Sequence, residues 1–231
     1  MLWKPNRLIM KQFVSKTLFI AFLGLALTGC KNENNKAKTE EAREAREVNL
    51  ESENFRVNSD ESVIHWKGRK PTATHTGTIK IAEGNFTAND STIESGSFVI
   101  DMKSIVVTDL EGKDRSDLEA HLKGTVEGKE GDFFNTEEYP EATFEITDLT
   151  EENGQTILSG NLTIKEDTKN ISFPVNIDYG EDQVEITSEE FSIDRTQWQV
   201  NFGSKSVFDG LGDNFVHDNI DLRIKVIADK S

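Results

Sequence analysis

From residue 54 onward, apolar side chains recur at every second position, the pattern of strands with one buried face. In Gly77-Thr78-Ile79-Lys80-Ile81 the two isoleucines share a face. Phe98, Ile100 and Met102 do the same, with Ser97 and Asp101 opposite. The alternation continues through Ala142, Phe144 and Ile146, then Leu158, Leu162 and Ile164, then Ile171, Phe173, Val175 and Ile177. Val184 with Ile186, and Phe191 with Ile193, follow. Ile220, Leu222, Ile224 and Val226 close the series, opposed by Asp221, Arg223 and Lys225. Turn residues punctuate the runs at Glu83-Gly84-Asn85, Glu152-Asn153-Gly154 and Tyr179-Gly180-Glu181-Asp182. One segment departs from period two. Ser116-Asp117-Leu118-Glu119 has capping-box spacing and Leu118 and Leu122 are four apart, which predicts a short helix over 116–123. About eight antiparallel strands leave two architectures open, a sandwich and a closed up-and-down barrel. A barrel of that size has room for one small ligand.

The first 53 residues follow other rules. Thr17–Thr28 is apolar and uncharged, but shorter than the ~20 residues that span a bilayer. Lys4, Arg7, Lys11 and Lys16 precede it without any acid, and Gly29 precedes Cys30. This layout predicts a signal peptide over 1–29, with the same features if translation starts at Met10. Leu27-Thr28-Gly29-Cys30 resembles the bacterial lipobox, so Cys30 is expected to carry the lipid of a bacterial lipoprotein. Stable anchoring takes more than one acyl chain of the palmitate kind. Residues 31–53 hold almost no large apolar side chain. The expectation is a lipidated Cys and polar tether over 30–53, its EEAREARE run supported by Glu–Arg pairs, ahead of a β domain over 54–231.

Charge narrows the partners. The chain has 26 Lys and Arg against 42 Asp and Glu; losing the four bases of the leader leaves 22, a net charge of −20. Such a surface repels phosphate backbones, so nucleic acid is excluded as a partner. It also repels anionic membranes, which leaves the lipid anchor as the membrane attachment. Cys30 is the only cysteine, so the domain folds without an internal disulfide.

Candidate chemistry is sparse. The histidines, His65, His75, His121 and His217, show no metal-ligand spacing, and no metal or cofactor is expected. His75 and His121 are read as strand-end or helix-end hydrogen-bonding groups at the barrel mouth. There is no G-x-S-x-G and no phosphate-binding glycine loop, so no catalytic residue is assigned. Arg195 follows Phe191 and Ile193 on one face. It either takes an anionic lipid headgroup at the mouth or pairs with Asp101, Asp194 or another acid, and the excess of acids favours the second.

A family resemblance is carried by motifs spread over 54–229. Trp66-Lys67-Gly68-Arg69-Lys70 with His75-Thr76-Gly77-Thr78-Ile79 opens it. Gly96-Ser97-Phe98-Val99-Ile100-Asp101-Met102-Lys103-Ser104-Ile105 and Thr108-Asp109-Leu110 follow, then His121-Leu122-Lys123, Asp132-Phe133-Phe134, Tyr139-Pro140 and Ala142-Thr143-Phe144. Gly160-Asn161-Leu162-Thr163-Ile164-Lys165, Asp194-Arg195-Thr196, Phe202-Gly203-Ser204 and Leu211-Gly212-Asp213 complete it. In this order they resemble the YceI-like family, a lipocalin-like polyisoprenoid-binding domain, in its Bacteroidetes-type lipoprotein branch. Two places depart from the pattern: an insertion around Gly124–Gly131, read as a surface loop, and Glu166-Asp167 where a glycine is common.

The resemblance implies an all-β fold, an eight-stranded antiparallel lipocalin-like barrel with a short helical insertion. It implies a long cavity for an apolar lipid of the isoprenoid class, such as a polyisoprenoid or isoprenoid quinone-like molecule, stored or transported in the cell envelope of a Gram-negative bacterium. Candidate lining residues are Phe98, Ile100, Phe144, Ile146, Leu162, Ile164, Phe173, Val175, Ile186, Phe191, Ile193, Leu222 and Ile224, with His75, His121 and Arg195 at the mouth. A homodimer is compatible with this reading. The rivals are a lipid-modifying enzyme on the same barrel and a solidly packed stress or scaffold protein, since an inward apolar stripe on its own more often fills a core.

Overall fold

The computed structural model describes residue 1, residues 35–45 and residues 52–231. The expected signal peptide and Cys30 lie outside the described residues. Residues 33–231 form one unit.

Among the described residues, eleven strands build one antiparallel sheet: β1 Lys38–Glu41, β2 Glu53–Val57, β3 Val63–Lys70, β4 Ala73–Asn89, β5 Thr92–Val107, β6 Glu141–Glu152, β7 Gln155–Ile164, β8 Asp167–Tyr179, β9 Gln183–Ser188, β10 Phe191–Asp194 and β11 Asn219–Lys230. The sheet closes on itself. β4 to β9 pair in sequence order, β9 pairs with β11, and β11 returns through β2 and β3 to β4. β2 and β3 are two halves of one strand position along β11, and β9 and β10 are two halves of another. The ring therefore has eight strand positions, the eight-stranded barrel that the resemblance implies. Closure leaves its core ringed by strands without long free edges. Every strand pairing of the ring lies within 52–231, and β1 adds to it, so residues 33–231 hold a complete core and ladder and are equipped to fold alone.

Both breaks in the split strands fall against β11, and a serine hydroxyl repairs each. Ile227 N donates to Ser62 Oγ at 3.0 Å and Ile224 N to Ser188 Oγ at 2.9 Å. Buried amides that would otherwise lack partners are thereby satisfied. Two hairpins turn on paired positive-φ residues, Asp90-Ser91 and Asn153-Gly154, the primed geometry that suits strand twist. The turn expected at Glu83-Gly84-Asn85 is absent. Those residues lie inside the 17-residue β4, beside a register shift between Ile81 and Glu83. A Cβ on Gly84 would sit 2.7 Å from Phe98, so glycine answers a close approach here rather than a turn.

The helix α1 spans Gly112–Lys123, starting a turn earlier than expected. Glu111 is its N-cap and makes no side-chain cap bond. Ser116 instead donates to Lys113 O, and Glu119 accepts from Val107 N at 2.9 Å, tying the helix to β5. Gly124, at φ 73°, ends it in the left-handed conformation.

Part of the segment expected to be tether belongs to the sheet. β8 extends beyond the end of β9, and β1 fills the gap between β8 and β10. Lys38–Glu41 pair with Ser172–Lys169, and Ser192 N donates to Asn35 O while Ala37 N donates to Ser192 O, both at 2.8 Å. Just beyond, Arg43 N donates to Asn161 Oδ1 and Asn161 Nδ2 returns a bond to Arg43 O. Only Ala37 of this segment joins the core, which is why its sequence reads as a polar linker.

Candidate ligand cavity

Period two along β3 points Ile64, Trp66, Gly68 and Lys70 into the barrel, and the same logic orients Ile79 of β4, Ile100 and Met102 of β5, Leu162 and Ile164 of β7 and Leu222 of β11. These residues enclose a cavity of about 150 Å³. One end is covered by Leu118 and Leu122 of α1, by Phe133 and Phe134, and by Val200 and Val216 from the loop before β11. Trp66 is positioned by a missing side chain: a Cβ on Gly77 would lie 2.5 Å from the indole.

A second space of about 50 Å³ lies further along the barrel and shares Ile64 and Ile100 with the first. Its surroundings are aromatic. Six phenyl rings run in contact across the barrel, Phe55 to Phe86 at 5.3 Å, then Phe98 at 6.4 Å, Phe144 at 6.3 Å, Phe173 at 6.0 Å and Phe191 at 4.2 Å. Phe98, Phe144 and Phe173 line the smaller space and none of them reaches the larger.

The candidate residues thus divide. Ile100, Leu162, Ile164, Ile193, Leu222, His75 and Arg195 line the larger cavity. Phe98, Phe144, Phe173, Val175, Ile186 and Ile224 line the smaller one, again with Ile100. Ile146 and Phe191 line neither; both are at most 1 % exposed, Ile146 packed near Gly96 and Phe191 stacked on Phe173. The reading of these two as lining is corrected to core packing.

His121 is not at the cavity wall either. Its Nε2 lies 2.7 Å from Asp132 Oδ2, and its ring meets Phe133 and Phe202 edge-on. It braces the segment that covers the cavity. His75 Nδ1 lies 2.9 Å from Asp109 Oδ2. Burial pushes the Asp109 carboxyl up, but the Thr76 N–H and the His75 imidazole outweigh it and hold the carboxyl below its ordinary value. An ionised Asp109 fixes the proton on Nδ1 and leaves Nε2 of His75 uncommitted. His75, His121 and Asp101 do not converge; Asp101 accepts from Lys103 N.

Arg195 follows the second reading, pairing with an acid, Asp218, rather than facing a ligand, and its main partners are carbonyls that the sequence reading did not foresee. It is 2 % exposed and opens a 3-10 turn, Arg195–Trp198. Its guanidinium donates to four main-chain carbonyls, those of Val200, Phe202, Val216 and His217, and Asp218 stands 3.8 Å away. Burial lowers its pKa, opposed by Asp218 and Asp194. It fastens the 199–218 loop over the barrel end and spends four of its five N–H donors on these carbonyls. Next to that clamp Phe202, Val207 and Phe208 are exposed.

The cover residues Leu122, Phe133, Phe134, Val200 and Val216 escaped the sequence reading because most come from irregular segments without periodicity. Leu118 and Leu122, four apart on the helix, were the available signal.

No curated protein matches the sequence. Among solved structures, BcnA of Burkholderia cenocepacia is 20% identical, with 74% of this chain and 98% of that one covered at a TM-score of 0.56. A polyisoprenoid binding domain from Saccharophagus degradans, implicated in plant cell wall breakdown, is 12% identical, with 77% and 98% covered at a TM-score of 0.53. Both likenesses are of fold. The model of the YceI-like domain matches residues 55–228, three quarters of the chain and all but the outermost residues of the closed barrel, and the chain belongs to the YceI-like family.

Proposed function

We propose that the barrel binds an apolar lipid of the isoprenoid class and holds it without chemical change. The observation that carries this reading is the apolar cavity itself, walled by strands and covered by α1 and the 199–218 loop. Burial of an apolar chain drives binding at ~25 cal/mol per Å². Size constrains the ligand. A dry apolar cavity of ~150 Å³ accommodates about one benzene ring. A long chain therefore enters only by moving side chains, and the two spaces adjoin at Ile64 and Ile100, which line both. We also infer from the lipobox that Cys30 is acylated and keeps the barrel at a membrane of the cell envelope, where the lipid is stored or carried.

The test is organic extraction of purified residues 33–231 followed by mass spectrometry. The wild type is expected to release a stoichiometric isoprenoid lipid. Leu162→Asp, which places a carboxylate in the wall, and Leu118→Trp, which fills the cavity from its cover, are expected to release much less. An empty wild-type extract together with no uptake of added isoprenoids would refute the reading in favour of a packed barrel.

A further inference from the structure

Among the described residues, three large apolar side chains besides Met1 are exposed: Phe202 at 38 %, Val207 at 45 % and Phe208 at 49 %. All three belong to one short stretch of the 199–218 loop. That stretch is held in place. Arg195 Nη2 donates to Phe202 O at 2.9 Å, Phe208 N to Ser204 O at 2.9 Å and Val216 N to Gly203 O at 2.8 Å. Val200 and Val216 of the same loop face the cavity. The loop therefore has one apolar face toward the cavity and a second toward solvent, and a clustered exposed patch of that kind marks a contact surface.

With Cys30 acylated, the position of the anchor selects what covers the patch. Ser192 N donates to Asn35 O, and Ser192 pairs with Asp221 of β11. Asp221 is two positions from Asn219, where β11 leaves the loop. It is nine positions from Lys230, whose N–H donates to Asp182 O at the opposite end of the barrel. Cys30 is five residues from Asn35. Fully extended, five residues clear the loop end but fall short of the far end, even allowing for strand tilt. A bilayer holding Cys30 thus lies at the end that carries Phe202, Val207 and Phe208.

The chain's excess of acids repels anionic lipid and leaves apolar insertion as the means of contact. A second copy is the poorer occupant: a stable dimer buries about 800 Å² and about 20–30 residues on each side, far more than three side chains supply.

We infer that Phe202, Val207 and Phe208 dock the barrel on a zwitterionic phospholipid bilayer, entering the boundary between headgroups and acyl chains so that the cavity cover rests against the membrane. The inference rests on the acylation of Cys30 proposed above and needs no particular cargo. A few apolar side chains suffice because the covalent lipid does the holding and the patch sets the orientation.

Cys30 is the only cysteine, so residues 30–231 are coupled through it to a maleimide phospholipid in phosphatidylcholine vesicles, whether or not cells acylate it. Phe208→Trp is the reporter, Glu181→Trp in the exposed turn between β8 and β9 is the control, and lipids brominated near the headgroup are the quencher. After subtraction of the wild-type signal from Trp66 and Trp198, quenching of Phe208→Trp is expected to be at least about twofold greater than that of Glu181→Trp. Adding Val207→Asp to Phe208→Trp should bring it down to the control. Quenching of Phe208→Trp no greater than the control, or unchanged by Val207→Asp, would overturn the docking surface. Sedimentation of unlipidated residues 33–231 is expected to show a monomer; a dimer that Phe208→Asp dissolves would overturn it in favour of a second copy. Because coupling stands in for acylation, a barrel that fails to dock leaves the lipobox reading intact, and palmitate labelling tests that reading separately.

Discussion

Replacing Arg195 by methionine keeps the length of its stem but removes every donor from the clamp on the 199–218 loop. Four carbonyls then lose a charged partner. A hydrogen bond to a charged group is worth ~1.5–3 kcal/mol, but carbonyls near the surface regain water when the loop loosens. The net loss is therefore closer to that of breaking one buried charge arrangement, ~3–5 kcal/mol. For a domain of ~200 residues, where 1 kcal/mol moves Tm by ~2–4 °C, Tm should fall by ~6–20 °C. Arg195→Lys should recover less than half, because a single ammonium cannot reach four acceptors held by a planar fork. Thermal melts of residues 33–231, followed by circular dichroism near neutral pH, make the measurement. A methionine variant that melts within ~2 °C of wild type would refute the clamp, since that loss is under ~1 kcal/mol.

Other perturbations probe separate features. Gly77→Ala places a Cβ 1.9 Å from Val106 O and 2.5 Å from the Trp66 ring, so it should cost ~1–3 kcal/mol in chemical denaturation and shift Trp66 fluorescence. Trimming residues 126–130, which are mostly exposed, should move Tm by less than ~4 °C provided that Gly124 and the Asp132–His121 contact are kept. The Asp109 carboxyl is held below its ordinary value in the folded chain, so its contribution is present above that ordinary value and is lost as pH falls through the lower folded one. The stability gap between wild type and Asp109→Asn should accordingly close on acidification below 3.8, measured by melts across pH; a gap that widens there would contradict the assigned pairing. Cys30→Ser should abolish incorporation of a palmitate analogue in growing cells, and equal label in both proteins would sink the anchor.

The barrel was legible because nearly every wall strand has one wet and one dry face, so the period of two survives in residues such as Ile220, Leu222 and Ile224. It fails where the backbone breaks step. The irregularity between Ile81 and Glu83 moves the inward set from odd positions to Gly84 and Phe86, and the glycine then imitates a turn. The helix was visible through Leu118 and Leu122, while its start was not, since Glu111 caps it without a side-chain bond. The same inward phenylalanines could have lined a cavity or filled a core. Ring-to-ring distances decide that, and they lie in the packing of strands distant in sequence. The cavity cover depends on Phe133, Val200 and Val216, whose contributions follow from loop routing rather than from any repeat.

The docking of β1 has a consequence for range. A free segment from residue 30 to 53 could stretch ~80 Å, enough to let a barrel roam well away from its membrane. With Asn35 bonded to Ser192, only residues 31–34 separate Cys30 from a fixed point on the wall. Five peptide steps reach at most ~18 Å. With Cys30 acylated as the sequence predicts, the barrel is moored within a protein diameter of its own leaflet. It would exchange cargo with that surface or with partners that come to it. Crossing to an opposing membrane would first require peeling β1 off β8, a strand that buries little besides Ala37 and so comes away before the rest of the barrel loosens.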